Sequence, residues 1–128
     1  LRGTLEMEIA QLPAEEVGPF LEEYGISEPS LHRMVRECYD LLGLMSFFTV
    51  GEDEVRAWTV ERGASAVDAA GTIHSDLARG FIRAEVISYE EMIACGTMAE
   101  ARKRGKLRLE GKEYVVQDGD VMNFLFNV

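Results

Sequence analysis

At 128 residues and 47% hydrophobic content, the chain can bury one ordinary core or two small ones. It contains no Gly-x-x-x-x-Gly-Lys-Ser/Thr loop, so the backbone N–H groups and the lysine that cradle a nucleotide's phosphates are missing, which argues against phosphoryl transfer by this chain alone. Its 13 Lys and Arg against 23 Asp and Glu leave a net charge of −10, which argues against tight nonspecific nucleic-acid binding, because phosphate neutralisation dominates such affinity.

Residues 1–44 read as three short helices. Leu5, Ile9 and Leu12 stand at helical spacing before Pro13 stops the first. Pro13 is tolerated in the first turn of a second helix, where Glu15 and Glu16 sit at the positive end of the dipole, Phe20 and Leu21 face inward, and Gly25 ends it. Ser27 is expected to cap the third helix, with Pro29 in its first turn and an apolar face of Leu31, Met34, Val35, Cys38, Leu41 and Leu42 running to Gly43. A run this short cannot bury all its apolar faces internally, so the stripe needs a partner surface, in the second half or in a domain outside this chain.

Beyond residue 44 the period changes from 3.6 to 2. Phe47 to Val50 and Val55 to Val60 form a hairpin across Gly51-Glu52-Asp53-Glu54. One helix is expected from Ser65, whose hydroxyl and Asp68 make a capping-box pair, through the buried stripe Ala66, Ala69, Ala70, Ile73 and Leu77 to Gly80. Phe81 to Ser88 reads as a strand and Tyr89 to Cys95 as a short helix broken at Gly96. Thr97 with Glu100 repeats the capping pattern before a helix whose last turn is Arg102-Lys103-Arg104. Leu107 and Leu109, Tyr114 to Val116, and Val121 to Phe126 read as strands joined by turns at Glu110-Gly111-Lys112 and Asp118-Gly119-Asp120. Two strands, a crossing helix and further strands make an α+β chain of β-grasp, or ubiquitin-like, architecture with a mixed sheet, preceded by a short helical segment.

Three stretches carry a family resemblance: Phe48-Thr49-Val50-Gly51-Glu52-Asp53-Glu54-Val55-Arg56-Ala57-Trp58-Thr59, Ala69-Ala70-Gly71-Thr72-Ile73-His74-Ser75-Asp76-Leu77, and Val116-Gln117-Asp118-Gly119-Asp120-Val121. Together they resemble the TGS domain of YchF-type Obg-like ATPases, over nearly all of residues 45–128. The resemblance departs at Asn123, where relatives often carry His or another polar residue. It implies that residues 1–44 are the helical tail of a nucleotide-binding P-loop domain and that residues 45–128 are a TGS module. It further implies a parent that hydrolyses ATP or GTP with Mg²⁺ at a site outside this chain, and ribosome, ribosomal RNA or the parent's own nucleotide-binding domain as partners. Arg2 and Gly3 would then be a remnant of a loop near the base pocket. The start at Leu1-Arg2-Gly3, with no initiator Met, agrees with a fragment.

Among candidate sites, the basic run Arg102, Lys103, Arg104 and Lys106 stands out against the acidic background, since four cations in five positions can meet RNA phosphate. The bland alternative is a solvated helix end whose cations complement the dipole. Arg56, Arg62, Arg79 and Arg83 are further ribosome or RNA contacts if they share its face. Trp58 could stack on a base, although a single Trp in a small sheet is more simply core. His74 and Asp76, two apart on an expected helix, point in different directions and have no nucleophile beside them, so no catalytic residue is assigned. The spacings of His32, His74, Cys38 and Cys95 match no zinc pattern, and the two cysteines read as small reduced core residues.

No signal peptide, membrane-length apolar run or lipidation pattern is present, which makes the cytoplasm the expected compartment, with no membrane partner and no DNA specificity. Three functional classes follow: a ribosome-docking module, an intramolecular lid on the parent's nucleotide-binding domain, and a ubiquitin-like carrier. The carrier is disfavoured because Phe126-Asn127-Val128 offers no flexible Gly-Gly for activation.

Overall fold

A computed structural model describes residues 2–127, so Leu1 and Val128 of the expected segments lie outside the described residues. The chain divides into two compact units, Leu1–Leu42 and Gly43–Val128.

The first unit holds α1 (Gly3–Ala10), α2 (Ala14–Glu23) and α3 (Ser30–Leu41). Ile9 and Leu21 are its buried side chains, so this unit has a small core. Phe20 is only half-buried and lies against the Tyr24 ring, with centroids 4.9 Å apart. Ser27 does not cap α3. The Glu6 carboxylate of α1 does so instead, accepting from the Ser30 backbone N–H at 3.1 Å and the Ser30 hydroxyl at 2.7 Å. A carboxylate at a helix N-terminus meets unpaired N–H groups and the positive end of the dipole, which is why a residue 24 positions away can replace a local cap. The stripe on α3 is exposed, with Leu31 at 65%, Leu41 at 87% and Leu42 at 68%. Cys38 is exposed with it, which corrects its expected place in a core.

The second unit is built on a five-stranded mixed sheet of order β2-β1-β5-β3-β4, comprising β1 (Leu44–Val50), β2 (Val55–Glu61), β3 (Phe81–Ile87), β4 (Arg108–Glu110) and β5 (Val121–Phe126). β1 and β2 form the expected antiparallel hairpin, with Phe47 opposite Trp58. β5 runs parallel to β1 and antiparallel to β3, and β4 pairs antiparallel with β3. Strand alternation sends Met45 and Phe47 of β1 to one face of the sheet and Phe48 and Val50 to the other, so both faces must be covered.

On the first face α4 (Ala66–Ile73) crosses the sheet. Its Ala66, Ala69 and Ala70 are fully buried against Met45, Phe47, Val60, Ala84, Val86, Met122 and Phe124. Small side chains allow that close approach. Both halves of the capping box are present: the Asp68 N–H donates to the Ser65 hydroxyl at 3.2 Å and the Ser65 N–H to the Asp68 carboxylate at 3.3 Å. Ser65→Ala is expected to destabilise the unit by about 1 kcal/mol, read as a lower urea midpoint at unchanged slope.

The single helix expected up to Gly80 is two helices, α4 and α5 (Ser75–Arg79), because His74 between them is fully extended at φ −163° and ψ 142°. The imidazole repairs the break: His74 Nδ1 accepts the Asp76 backbone N–H at 3.0 Å and so caps α5.

On the second face lie α6 (Tyr89–Cys95) and α7 (Met98–Lys103), separated by Gly96 at φ +85°, a left-handed conformation that glycine adopts without strain. Ile87, Ala101 and Val121 form the buried centre there, with Phe48, Val50, Met92, Cys95, Met98 and Leu107 around them. The expected strand at Tyr114 to Val116 is not one. Only an isolated bridge between Ser65 and Val115 forms, because the segment is held by side chains and by the N-terminus of α4, where the Ala66 N–H donates to the Tyr114 carbonyl at 2.8 Å.

Candidate functional site

The basic run sits where its sequence directs it. Thr97 caps α7 by accepting the Glu100 N–H at 3.1 Å, and Ala101 is fully buried, which fixes the helix to the sheet and turns its polar residues outward. Only half of the expected capping box forms there, because the Glu100 side chain reaches forward to Arg104 Nε at 2.9 Å rather than back to Thr97.

The four cations are not equivalent. Arg102 donates to the Glu85 carboxylate of β3 at 2.9 and 3.1 Å, and Asn123 of β5 donates to the same carboxylate at 2.9 Å. Burial alone would raise the Glu85 carboxyl, whose side chain is 12% exposed, but the bonds from Asn123 and Arg102 and the arginine charge outweigh it and hold its pKa below the usual glutamate value. Asn123 is therefore a structural donor. A carboxyl with a depressed folded-state pKa contributes stability above its unfolded pKa of about 4.3 and loses it as pH falls through the folded value. Glu85→Gln is accordingly expected to flatten the acid limb of the stability profile below about pH 4.5, measured by thermal unfolding across that range.

Lys103 and Lys106 are exposed, and among the described residues their ammonium groups have no ion-pair partner. Arg104 is paired with Glu100, and Arg102 with Glu85. Attraction for an external anion therefore rests on the two lysines more than on the two arginines, because the arginine charges are already offset within 3 Å.

The scattered arginines do not all join this face. Arg83 shares its strand face with Glu85 by alternation, which places it on the α7 side of the sheet. Arg56 is on the opposite face, its guanidinium 4.1 Å from the Trp58 ring centroid. Trp58 itself is half-buried against the α4 core and donates its indole N–H to the Thr49 hydroxyl at 2.9 Å, so packing and a satisfied donor account for it. Arg79 pairs with Asp76 at the end of α5, and Arg62 follows β2. Arg108, which sequence reasoning passed over, lies 5.6 Å over the Tyr114 ring and donates to its hydroxyl at 3.3 Å. Its only sequence signal was its place two residues beyond the basic run.

Arg2 precedes α1 and Gly3 is its first residue. Arg2 borders a hollow of about 330 Å³ within the helical unit, whose walls include Glu6, Glu28, Tyr24, Ser30 and Arg33. The wall sets Arg2 and Arg33 against the carboxylates of Glu6 and Glu28, of which Glu6 is engaged by Ser30 and Glu28 by Arg36. Among the described residues no group of three or more His, Cys, Asp or Glu is gathered as a metal cluster. His74 Nδ1 lies 3.7 Å from an Asp76 carboxylate oxygen, but that nitrogen already accepts a backbone N–H and serves the helix cap. No helix among the described residues is long and apolar enough to cross a membrane.

Residues 44–127 match the family YchF-GTPase_C, described as a protein of unknown function (DUF933). The chain is 58% identical over 124 residues to the ribosome-binding ATPase YchF of Bacillus subtilis, a match covering 97% of this chain and 34% of that protein. It is 56% identical over 126 residues to the ribosome-binding ATPase YchF of Haemophilus influenzae, covering 98% of this chain and 35% of that one. The structure of the Schizosaccharomyces pombe YchF GTPase superposes with a TM-score of 0.81 at 32% identity, over 92% of this chain and 31% of that chain. This chain thus spans about a third of the length of the curated relatives it matches.

Proposed function

Because this chain belongs to the YchF family, we infer that it is the C-terminal part of a nucleotide-hydrolysing protein and that its β-grasp unit docks the parent on the ribosome or its RNA. On this reading the unit carries no catalysis of its own. ATP or GTP with Mg²⁺ belongs to the parent's nucleotide-binding domain, whose helical tail is residues 1–44, and the protein works in the cytoplasm. The observation that carries the docking role is the end of α7, where Lys103 and Lys106 stand exposed, with no ion-pair partner among the described residues, beside Arg102 and Arg104.

Four cations against Glu100 and Glu85 still leave a local excess of positive charge at the end of α7 in an otherwise acidic chain, enough to orient an encounter without producing indiscriminate RNA binding. If the two lysines each neutralise one phosphate, affinity is expected to fall about tenfold between roughly 50 and 200 mM salt.

The test is sedimentation of the chain with purified ribosomal subunits at both salt concentrations, with the paired variants K103A/K106A and R102A/R104A. Salt-sensitive binding lost mainly in the lysine pair supports docking through this surface. Loss mainly in the arginine pair would show that Glu85 and Glu100 yield their partners on binding. Absence of binding under every condition would favour the intramolecular reading, in which the unit closes as a lid over the parent's nucleotide-binding domain.

A further inference from the structure

A second surface of the β-grasp unit is chemically unlike the basic run. Between the end of the β1–β2 hairpin and helices α6 and α7 runs a groove of about 960 Å³. Phe48 and Val50 of β1, Val55 of β2 and Tyr89, Met92 and Ile93 of α6 line it, and Met98, Arg102 and Asn123 complete the wall. It is not a closed core. Val55 is 70% exposed, Ile93 63% and Tyr89 50%.

Three observations fix what fits there. The lining is predominantly apolar, so an occupant must bring an apolar face. The lining side chains are too exposed to enclose a small molecule, which needs most of its own surface buried, so a longer segment laid along the groove suits the shape better. Charge then selects the segment. Glu52 lines the groove, Asp53 and Glu54 follow it in the same turn, and none of the three has an ion-pair partner among the described residues. The turn is held in place by the Gly51 N–H, which donates to the Glu54 carbonyl at 2.7 Å. On α6, Glu90 follows Tyr89 at the flank of the lining stripe. The cation in the lining, Arg102, is neutralised by Glu85 at 2.9 Å, and Lys103 lies outside the lining. The field at the hairpin end is therefore negative.

We propose that this groove is a docking site for a basic amphipathic helix of a protein partner, with apolar residues at helical spacing on the Met92–Ile93 surface and Lys or Arg against Glu52, Asp53 and Glu54. This goes beyond the docking role of the basic run and does not depend on it, since RNA phosphate would be repelled by the same hairpin turn.

The test is fluorescence anisotropy of the chain with a labelled synthetic helix of about 18 residues, long enough to hold helical structure, carrying leucines on one face and lysines on its flanks. A second probe replaces every lysine with glutamate. The lysine probe is expected to bind at least about tenfold more tightly than the glutamate probe, and E52K/D53K/E54K to reverse that order. Ile93→Glu is expected to weaken the lysine probe at least about tenfold. Ile93 is exposed, so this variant should keep its fold, which an unchanged thermal midpoint verifies, and K103A/K106A should leave the probe's affinity as it was. Equal binding of the two probes, binding indifferent to Ile93→Glu, or displacement by a single-stranded RNA oligonucleotide would each overturn the proposal. In the full-length parent, a lysine probe that no longer binds would show that the groove is covered by the rest of that protein, and would overturn it equally.

Discussion

Phe47→Ala is expected to destabilise the β-grasp unit by about 3–5 kcal/mol, enough to leave a marginally stable unit largely unfolded at 37 °C. Phe47 is fully buried at the centre of β1, edge-on to Phe124 of β5 with centroids 6.2 Å apart, and it packs among the alanines of α4. Its ring thus joins the strand that starts the sheet, the strand that ends the chain, and the helix between them. The helix side can do little to close the space left by its removal, because Ala66, Ala69 and Ala70 have no side-chain atoms beyond Cβ to advance. Phe47→Leu keeps most of the volume and should cost markedly less. Urea unfolding followed by Trp58 fluorescence measures both, since Trp58 is opposite Phe47 on β2. A loss below about 1 kcal/mol for the alanine variant would mean that the core relaxes far more than a close-packed interior allows.

Much of this was legible in the chain because local signals and the burial pattern agreed. The period-2 hairpin, the Ser65–Asp68 box and the alanine stripe each pointed to the structure that forms. Misreadings fell where a long-range or unusual partner replaced a local one. Ser27 looked like a cap, but a carboxylate from α1 does that work. His74 looked like one more helical residue, but its imidazole lets the chain break and restart. Tyr114 to Val116 alternated like a strand, but its backbone is used by α4 and its hydroxyl by Asp120. For the candidate site the sequence located the basic run and could not apportion it. The offset of Arg104 by Glu100 is a local i,i+4 pair, but the offset of Arg102 by Glu85, seventeen positions upstream, depends on how α7 and β3 come together, which no local pattern carries. The apolar groove was invisible for the same reason, since Phe48, Val55, Ile93 and Met98 become neighbours only when α6 and α7 cover the second face of the sheet.

Asp120→Ala is expected to cost about 2–4 kcal/mol, although Asp120 sits in a turn and turns usually tolerate substitution. Asp120 is only 3% exposed, and its carboxylate accepts the Tyr114 hydroxyl at 2.7 Å and the Gln117 N–H at 2.9 Å. Alanine takes the acceptor from both donors at a part-buried site, and each buried donor left unpaired costs about 1–3 kcal/mol, less where water can reach it. The damage should spread through the backbone. The Asp120 carbonyl accepts the Phe48 N–H at 2.8 Å, the Gly119 N–H donates to the Ser46 carbonyl at 2.8 Å, and Asp118 accepts the Ser46 N–H at 3.1 Å, so this turn is what seats β5 beside β1. Gly119 makes the seat possible at φ +84°, where any side chain would be strained. A second signature separates loss of this network from general softening. Burial, reinforced by the bond to Asp120 and its charge, raises the Tyr114 phenol above its ordinary pKa. The unfolded chain therefore gives up that proton first as pH climbs past about 10, and stability falls with pH there. Asp120→Ala removes the carboxylate's part of that shift, so alkaline titration of the tyrosines should show one phenol moving back toward the ordinary value. Tyr114→Phe tests the same bond from the other side. It should lose less than Asp120→Ala, because it removes a donor and leaves the carboxylate still holding the Gln117 N–H.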